Sequence, residues 1–429
     1  MDNDLNSSHP TWGAPFHKSV SEWYARQLTR KNPTSQQISQ DLDTLRVGSP
    51  TCAVFERILF IPERPGYLRH FLNGGLAPRC MLLLRAYCES NNIFDYAYGI
   101  LCLRTLLLVL EVGLMETINP NILNETNKLM INHEHFTGQL GSTMRQLILV
   151  SKPSRSGQKN YLQGLGWSRT SDEKNGLTCL PVVGGLTWPD VKFLVDQTVD
   201  DLQRIITLSS TNMFGFATLL FITWQYFIVT EAEARLCIGL QNLIFRYWPA
   251  ALRGETGILH YMSDWLDARI SRYTKNPGLI SADWLDQRQV INTYAHCISE
   301  DPLAPLADTA RLTEFLALTE DLGVEVASMI GDLVQHAFNR CWSHLEDVKS
   351  NPESWQYVTR VCGASLEMIK PAVIVEETLS ELLPAFGARL NLIELLGHLL
   401  VIGLKPESHR PTNQGKFFHP FVSFPEVAL

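Results

Sequence analysis

Between Arg204 and Glu231 the chain carries no charged residue, and Met213 to Val229 is almost entirely apolar or aromatic. A stretch of that kind has two stable environments, a lipid bilayer or the middle of a large protein core. Ser209, Ser210, Thr211, Asn212, Thr223 and Gln225 interrupt it, and no Lys/Arg cluster flanks it to set a membrane orientation. The segment is therefore expected to be a central buried helix, with membrane association through 213–229 as the alternative. A buried helix that is apolar all round needs several others, each with one apolar face, to cover it.

The sequence supplies such helices from end to end, and strand signals are nearly absent. Val20, Trp23, Tyr24, Gln27 and Leu28 mark one amphipathic stripe, and Ile38, Leu42 and Leu45 a second. Tyr67 to Leu114 holds two strongly apolar helices separated by Glu89-Ser-Asn-Asn92. Pro189 opens a later helix at a first-turn position, where its missing N–H costs nothing. Helices are then expected over 236–247, 258–273, 284–298, 303–318, 324–345, 352–369 and 390–402. The stripe Ala327, Ile330, Leu333, Val334, Ala337, Phe338, Cys341 is the most regular of them. The fold class is all-α, either α-solenoid-like or an irregular multi-helix bundle, in two lobes.

The main interruption is Ser151 to Thr187, rich in Gly and Ser with Lys152, Arg155 and Lys159. Such composition reads as a flexible loop or linker. It divides the chain into an N-terminal helical lobe, 1–150, and a C-terminal helical lobe, 188–404. An irregular tail follows at 405–429.

Hydrophobic residues make up 45% of the 429 positions and charged residues 19%, which suffices for a large core. The net charge of −8 argues against a dedicated nucleic-acid surface. Nine scattered cysteines sit mostly within apolar helical patterns and read as reduced core thiols. The first residues, Met-Asp-Asn-Asp-Leu-Asn, lack a basic region leading into an apolar one, so no signal peptide is expected. A cytoplasmic or nuclear protein follows from these two readings.

No catalytic, cofactor-binding or metal site is expected. The echo Asp264-Trp-Leu-Asp-Ala-Arg269 and Asp283-Trp-Leu-Asp-Gln-Arg288 puts two Asp pairs on helix faces. Four carboxylates can hold a divalent cation. Each Trp, however, falls on its helix's apolar stripe, and Asp283 and Asp286 stand where acidic residues stabilise a helix start. His133-Glu-His135 and Cys341-Trp-Ser-His344 lack a second half-site for zinc. No Gly-x-Ser-x-Gly, His-Glu-x-x-His or Gly-Lys-Ser/Thr loop occurs, and Gly164-Leu-Gly166 lacks the third glycine of a dinucleotide turn.

Three resemblances bear on function. Tyr67 to Arg85, with Gly74-Gly75 ending one helix and Pro78 opening a leucine-rich one, resembles an armadillo repeat, and Ala97, Leu101 and Leu106 fall where the next helix would. This armadillo- or HEAT-like resemblance spans residues 67–108 and implies stacked helix pairs presenting a groove to a peptide or helix. Around Phe55-Glu-Arg-Ile-Leu-Phe60 the chain also resembles uncharacterised helical proteins of basidiomycete fungi, which implies no activity. Asp196, Asp200 and Asp201 resemble the magnesium-clamping motif of all-α terpene synthases, with Arg204 standing at the closing acid's position. The expected function is non-catalytic: a scaffold that binds partner proteins through helical surfaces. A metal-dependent all-α enzyme is the alternative.

Overall fold

The computed structural model describes residues 8–15, 34–59, 68–72, 75–118, 167–169, 177–179, 186–199, 216–230, 234–251, 253–270, 284–300, 306–317, 327–344 and 352–374. Among them the chain is all-α, one short hairpin aside. Its helices are α1 (Ser35–Val47), α2 (Cys52–Ile58), α3 (Leu76–Cys88), α4 (Ala97–Ile118), α5 (Trp188–Val199), α6 (Phe216–Thr230), α7 (Ala234–Tyr247), α8 (Arg253–Ile270), α9 (Trp284–Glu300), α10 (Leu306–Ala317), α11 (Ala327–Ser343) and α12 (Pro352–Ile374). Short 3-10 turns at Leu68–Leu72 and Trp248–Ala250 complete the helical set. The stripes expected at 20–28 and 390–402, and the tail at 405–429, lie outside the described residues.

Two compact units divide the chain, Met1–Ile280 and Ser281–Leu429. This boundary differs from the partition expected at 151–187, because helices from both sides of that segment pack within the first unit. Arg85 on α3 donates through Nη2 to Asp190 Oδ1 (2.9 Å) and to the Pro189 carbonyl (2.9 Å) on α5. Its guanidinium also lies 4.6 Å from the Phe193 ring centroid. Farther in, α4 packs on α6. Composition marks a departure of the chain, whereas contacts set the domain boundary. Within the departing segment, Trp167–Arg169 and Leu177–Cys179 pair as an antiparallel hairpin, too short to give a readable alternation.

The centre of the first unit is made by α4 and α6. Every residue from 98 to 113 on α4 and from 216 to 224 on α6 is buried. Polar residues survive there by internal bonding: Thr105 Oγ1 donates to the Leu101 carbonyl and Thr223 Oγ1 to the Leu219 carbonyl, each at 2.8 Å. The interrupting Thr223 is thus compatible with a core helix. No helix among the described residues is long and apolar enough to cross a membrane.

Covering this centre are α2, α3 and the 3-10 turn on the α4 side, and α7 and α8 on the α6 side. The amphipathic α1 packs on α2 and α3, burying Ile38, Leu42 and Leu45. It starts with a full capping box, in which Thr34 and Gln37 satisfy each other's backbone N–H groups. Asp41 on α1 and Arg57 on α2 form a bidentate pair at 2.7 and 2.8 Å. The hydrogen bonds to Asp41 raise the Arg57 pKa further above its ordinary value. At the other end of α1, Arg79 of α3 donates to the Leu45 carbonyl at 3.3 Å and to the Gly48 carbonyl, occupying acceptors that a helix end leaves open. Pro78 does lie in the first turn of α3, where its absent N–H breaks no bond.

The segment 8–15 caps α4. Ala97 N–H donates to the Ala14 carbonyl (2.9 Å) and Tyr98 N–H to the Trp12 carbonyl (3.1 Å), filling two donors that a helix start leaves open. Gly13, at φ +81°, supplies the left-handed turn that brings the segment round. Trp12 then meets Tyr87 and Tyr98 edge-on, with centroids 5.1 and 5.0 Å apart.

In the second unit α9 packs on α11, and α10 packs extensively on α12. The α11 stripe buries Ile330, Leu333, Val334, Ala337, Phe338 and Cys341 together, as its 3.6-residue spacing requires. Arg340 donates to the Ile298 carbonyl near the end of α9 at 2.9 Å. Arg360 on α12 grips Glu314 on α10 through two bonds of 2.5 Å. Burial lowers the pKa of Arg311, beside that pair, to about 10.

Packing in the first turn of α4 gives a paired stability prediction. A Cβ on Gly99 would meet the Ile93 carbonyl oxygen and would lie 2.7 Å from Tyr87 Cε1, whereas one on Gly239 in α7 meets nothing within 4 Å. Gly99→Ala is expected to destabilise by about 1–3 kcal/mol through overpacking. Gly239→Ala is expected to stabilise by roughly 1 kcal/mol, the ordinary helix preference for Ala over Gly. Urea melts of both variants check this, and equal shifts would contradict the packing of α4 on the 87–93 segment.

Candidate functional site

Burying an ionisable group in an apolar core is costly unless it is paired or neutral. Among the described residues the first unit nevertheless buries four carboxyls, Asp41, Glu56, Glu111 and Glu255, and the last two lie deepest. Glu111 interrupts the run Leu106 to Val112 on α4 and is 2% exposed. Glu255 stands in the first turn of α8, also 2% exposed. Tyr247, the buried last residue of α7, donates its hydroxyl to Glu255 Oε2 at 2.7 Å. The 3-10 turn at Trp248–Ala250 follows α7 directly and leads toward the start of α8, which keeps donor and acceptor together. The Phe216 ring of α6 backs Tyr247, centroids 4.9 Å apart.

The two carboxyls have unequal surroundings. Glu255 has the Tyr247 hydroxyl and the positive end of the α8 dipole, both of which favour a negative charge. Glu111 has burial against it first and the Glu255 charge second, and together they push its pKa well above the usual value. Its Oε2 has no hydrogen-bond partner. Burial, followed by the Glu255 charge, likewise raises the Tyr247 phenol. The constellation thus places a carboxyl whose burial disfavours its charged form beside a carboxyl held by a phenol hydroxyl. Both carboxyls are closed off from solvent in this conformation.

The residues singled out by sequence are scattered. Asp264 is exposed on α8, while Asp267 is half-buried and accepts a hydrogen bond from Gln241 of α7. Trp265 is half-buried, 5.9 Å from the Trp224 ring and edge-on to it. Trp284 and Asp286 lie on α9, with side chains outside what is described, and Asp283 is outside altogether. Asp196 is ion-paired with Lys192 one turn earlier at 2.5 Å. Asp200, Asp201, His133, His135, Lys152, Arg155 and Lys159 also lie outside the described residues. Cys341 is buried near the end of α11, and His344, just past that end, is half-buried. Among the described residues no group of three or more His, Cys, Asp or Glu side chains is placed to hold a metal ion.

Sequence reasoning does not single out Glu111, Tyr247 or Glu255. The one readable signal is a glutamate inside the most apolar stretch of α4.

A different feature lies on the surface. Val47, at the end of α1, is 85% exposed and Leu82, on α3, is 60% exposed. Arg79 holds the carbonyls of Leu45 and Gly48 on either side of Val47, and Leu82 follows Arg79 by about one helical turn. Ala86, one further turn along, is exposed, and so is Glu89 at the end of the helix. Leu82, Ala86 and Glu89, four and three residues apart, share one face of α3.

No protein-family model, curated protein or solved structure matches the chain.

The buried acid gives a prediction with a definite sign. Above the ordinary carboxylate value of 4.5 the unfolded chain releases the Glu111 proton while the folded chain keeps it. Stability from this group is therefore complete below that pH and is lost as pH rises toward the elevated folded value. Glu111→Gln should flatten the fall in melting temperature between weakly acidic and neutral pH, and should raise the melting temperature at neutral pH. Differential scanning fluorimetry of both proteins across pH tests this. Parallel curves would mean that Glu111 is ionised in the folded chain.

Proposed function

We propose that the chain is a non-catalytic scaffold that binds a partner protein through the α1–α3 face of its first unit. The supporting observation is the exposed apolar pair, Val47 and Leu82, on either side of Arg79, continued along α3 by Ala86 and ended by Glu89. Large apolar side chains at such exposure lose free energy to water, and a partner that covers them recovers it. On α1, Asp43 already pairs with Arg46 at 3.2 Å, and on α3 Arg85 is paired with Asp190 while Glu89 beyond Ala86 is exposed. The occupant that fits is an amphipathic helix with apolar anchors over Val47 and Leu82 and a basic residue toward Glu89. The net charge of −8 favours a basic partner in the same sense.

This reading agrees with the armadillo- or HEAT-like resemblance over residues 67–108, whose Gly75–Pro78 punctuation introduces α3. An irregular helical bundle would serve the same role. A cytoplasmic or nuclear location is part of the proposal, supported by the eight described cysteines, none of which is in a disulfide and five of which are buried. Nucleic acid is not proposed as a partner, given the −8 charge.

Affinity capture compared between the wild-type chain and Val47→Asp/Leu82→Asp tests the surface. Both substitutions are at exposed positions, so the melting temperature should be nearly unchanged. The expected result is at least tenfold loss of one or more specific partners, and Glu89→Lys should reproduce the loss for a partner with a basic rim. Retention of every partner by the double variant would remove this face from the function.

A further inference from the structure

The segment 8–15 folds round one side chain. His9 and Gly13 close a tight turn with two backbone bonds, His9 N–H to the Gly13 carbonyl at 2.8 Å and Gly13 N–H to the His9 carbonyl at 2.9 Å. Inside it, the N–H groups of Thr11 and Trp12 both donate to His9 Nδ1, each at 3.1 Å. The imidazole stacks on the Trp12 ring, centroids 5.8 Å apart, and reaches the Tyr96 ring at 5.5 Å. This turn sets the position of Trp12. The Trp12 carbonyl accepts the Tyr98 N–H of α4 and, at 3.7 Å, the Cys52 thiol of α2, while its ring lies edge-on to Tyr87 and Tyr98.

We propose that residues 8–15 are a pH-sensitive strap, latched over the start of α4 by neutral His9 and let go when the imidazole is protonated. A neutral imidazole has one nitrogen that accepts and one that donates, whereas the protonated ring donates from both. Nδ1 therefore receives the Thr11 and Trp12 N–H groups only while it carries no proton. Protonation there replaces two attractive bonds with one N–H facing two others, and the turn that holds Trp12 loses its centre. The positive end of the α4 dipole, which the segment covers, adds to the cost of a cation at that point. The latched form binds the neutral ring, so it is favoured at the higher pH and lost as pH falls.

Among the described residues, the other titratable or charged groups around the strap come from four elements. On α3 they are Arg79, which serves the Leu45 and Gly48 carbonyls, Tyr87, and Glu89 at the helix end. The turn before α4 adds Tyr96 and Asp95, whose Oδ2 accepts the Asn92 N–H at 2.7 Å. Tyr98 lies in the first turn of α4, and α2 contributes Cys52 and, one turn on, the buried Glu56. Burial pushes the Tyr87 and Tyr98 phenols up, so both stay neutral. Of all these residue types only histidine ordinarily changes charge between about pH 5 and 8. His9 is half-buried, with Pro10 and Thr11 exposed beside it, so protons reach the ring without any opening of the core. Release uncovers the aromatic seat between Tyr87 and Tyr98 and the two α4 donors, Ala97 and Tyr98 N–H, that the strap fills.

The test is hydrogen exchange of the full chain at about pH 7.5 and about pH 5.5, on either side of the usual histidine transition. It is resolved to the Ala97 and Tyr98 amides and corrected for the intrinsic effect of pH on exchange. Protection of these two amides is expected to fall roughly tenfold at the lower pH, the worth of one to two hydrogen bonds, while residues 103–112 of α4 keep theirs. His9→Asn retains a side-chain oxygen that accepts from N–H groups just ahead of it but cannot be charged, so its protection should not change with pH. His9→Phe keeps a ring and removes the acceptor, so protection should be low at both values. Both substitutions lie on the half-buried strap, and protection of residues 103–112 reports whether the core folds as before. A wild-type fall shared by His9→Asn or by residues 103–112, or no fall at all, would overturn the proposal.

Discussion

Helices α4 and α6 are buried around almost their whole circumference, and the first unit is arranged to keep them dry. An amphipathic helix can rest one face in water, but these two cannot, since residues 98 to 113 and 216 to 224 are buried without a gap. They pack on each other, and the remaining sides are closed by α2, α3, α7 and α8. Removing any one cover exposes a continuous apolar strip, so the unit is expected to open as a whole and not helix by helix. That constraint also explains the internal hydroxyl bonds of Thr105 and Thr223, because such an interior offers no water to satisfy them.

The same closure gives the buried acid pair its character. Glu111 sits on a stretch of helix with no solvent-facing side, so charging it there is costly and its pKa is pushed up, while Glu255 accepts the Tyr247 hydroxyl at a helix start. An interior that seals these two carboxyls, while leaving Val47 and Leu82 in water, supports the proposal that binding takes place on the outside of the molecule. Arginine performs a repeated structural task at the margins. Arg79 closes the end of α1 and Arg340 the end of α9, each by donating to backbone carbonyl oxygen.

Periodicity locates the helices well because an apolar stripe every 3.6 residues is a local property. The stripe ending at Cys341 is buried residue for residue from Ile330 onward, and Pro78 and Pro189 lie in first turns as their lost N–H groups demand. The division into units is not legible in the same way, because Arg85 meeting Asp190 is a contact between distant parts of the sequence. Glu111 converging with Tyr247 and Glu255 needs three helices to be placed first, and Cys80 meeting Cys102 needs two.

Hydrogen exchange of the backbone amides measures directly whether α4 and α6 form one shared interior. If they do, the amides of residues 103–112 and 219–224 are the slowest in the first unit and exchange with one common free energy. That value should match global unfolding of the unit and shift equally with denaturant. Amides of α6 exchanging through an opening that leaves α4 protected would contradict a common core, and with it the reason assigned to every helix that surrounds them.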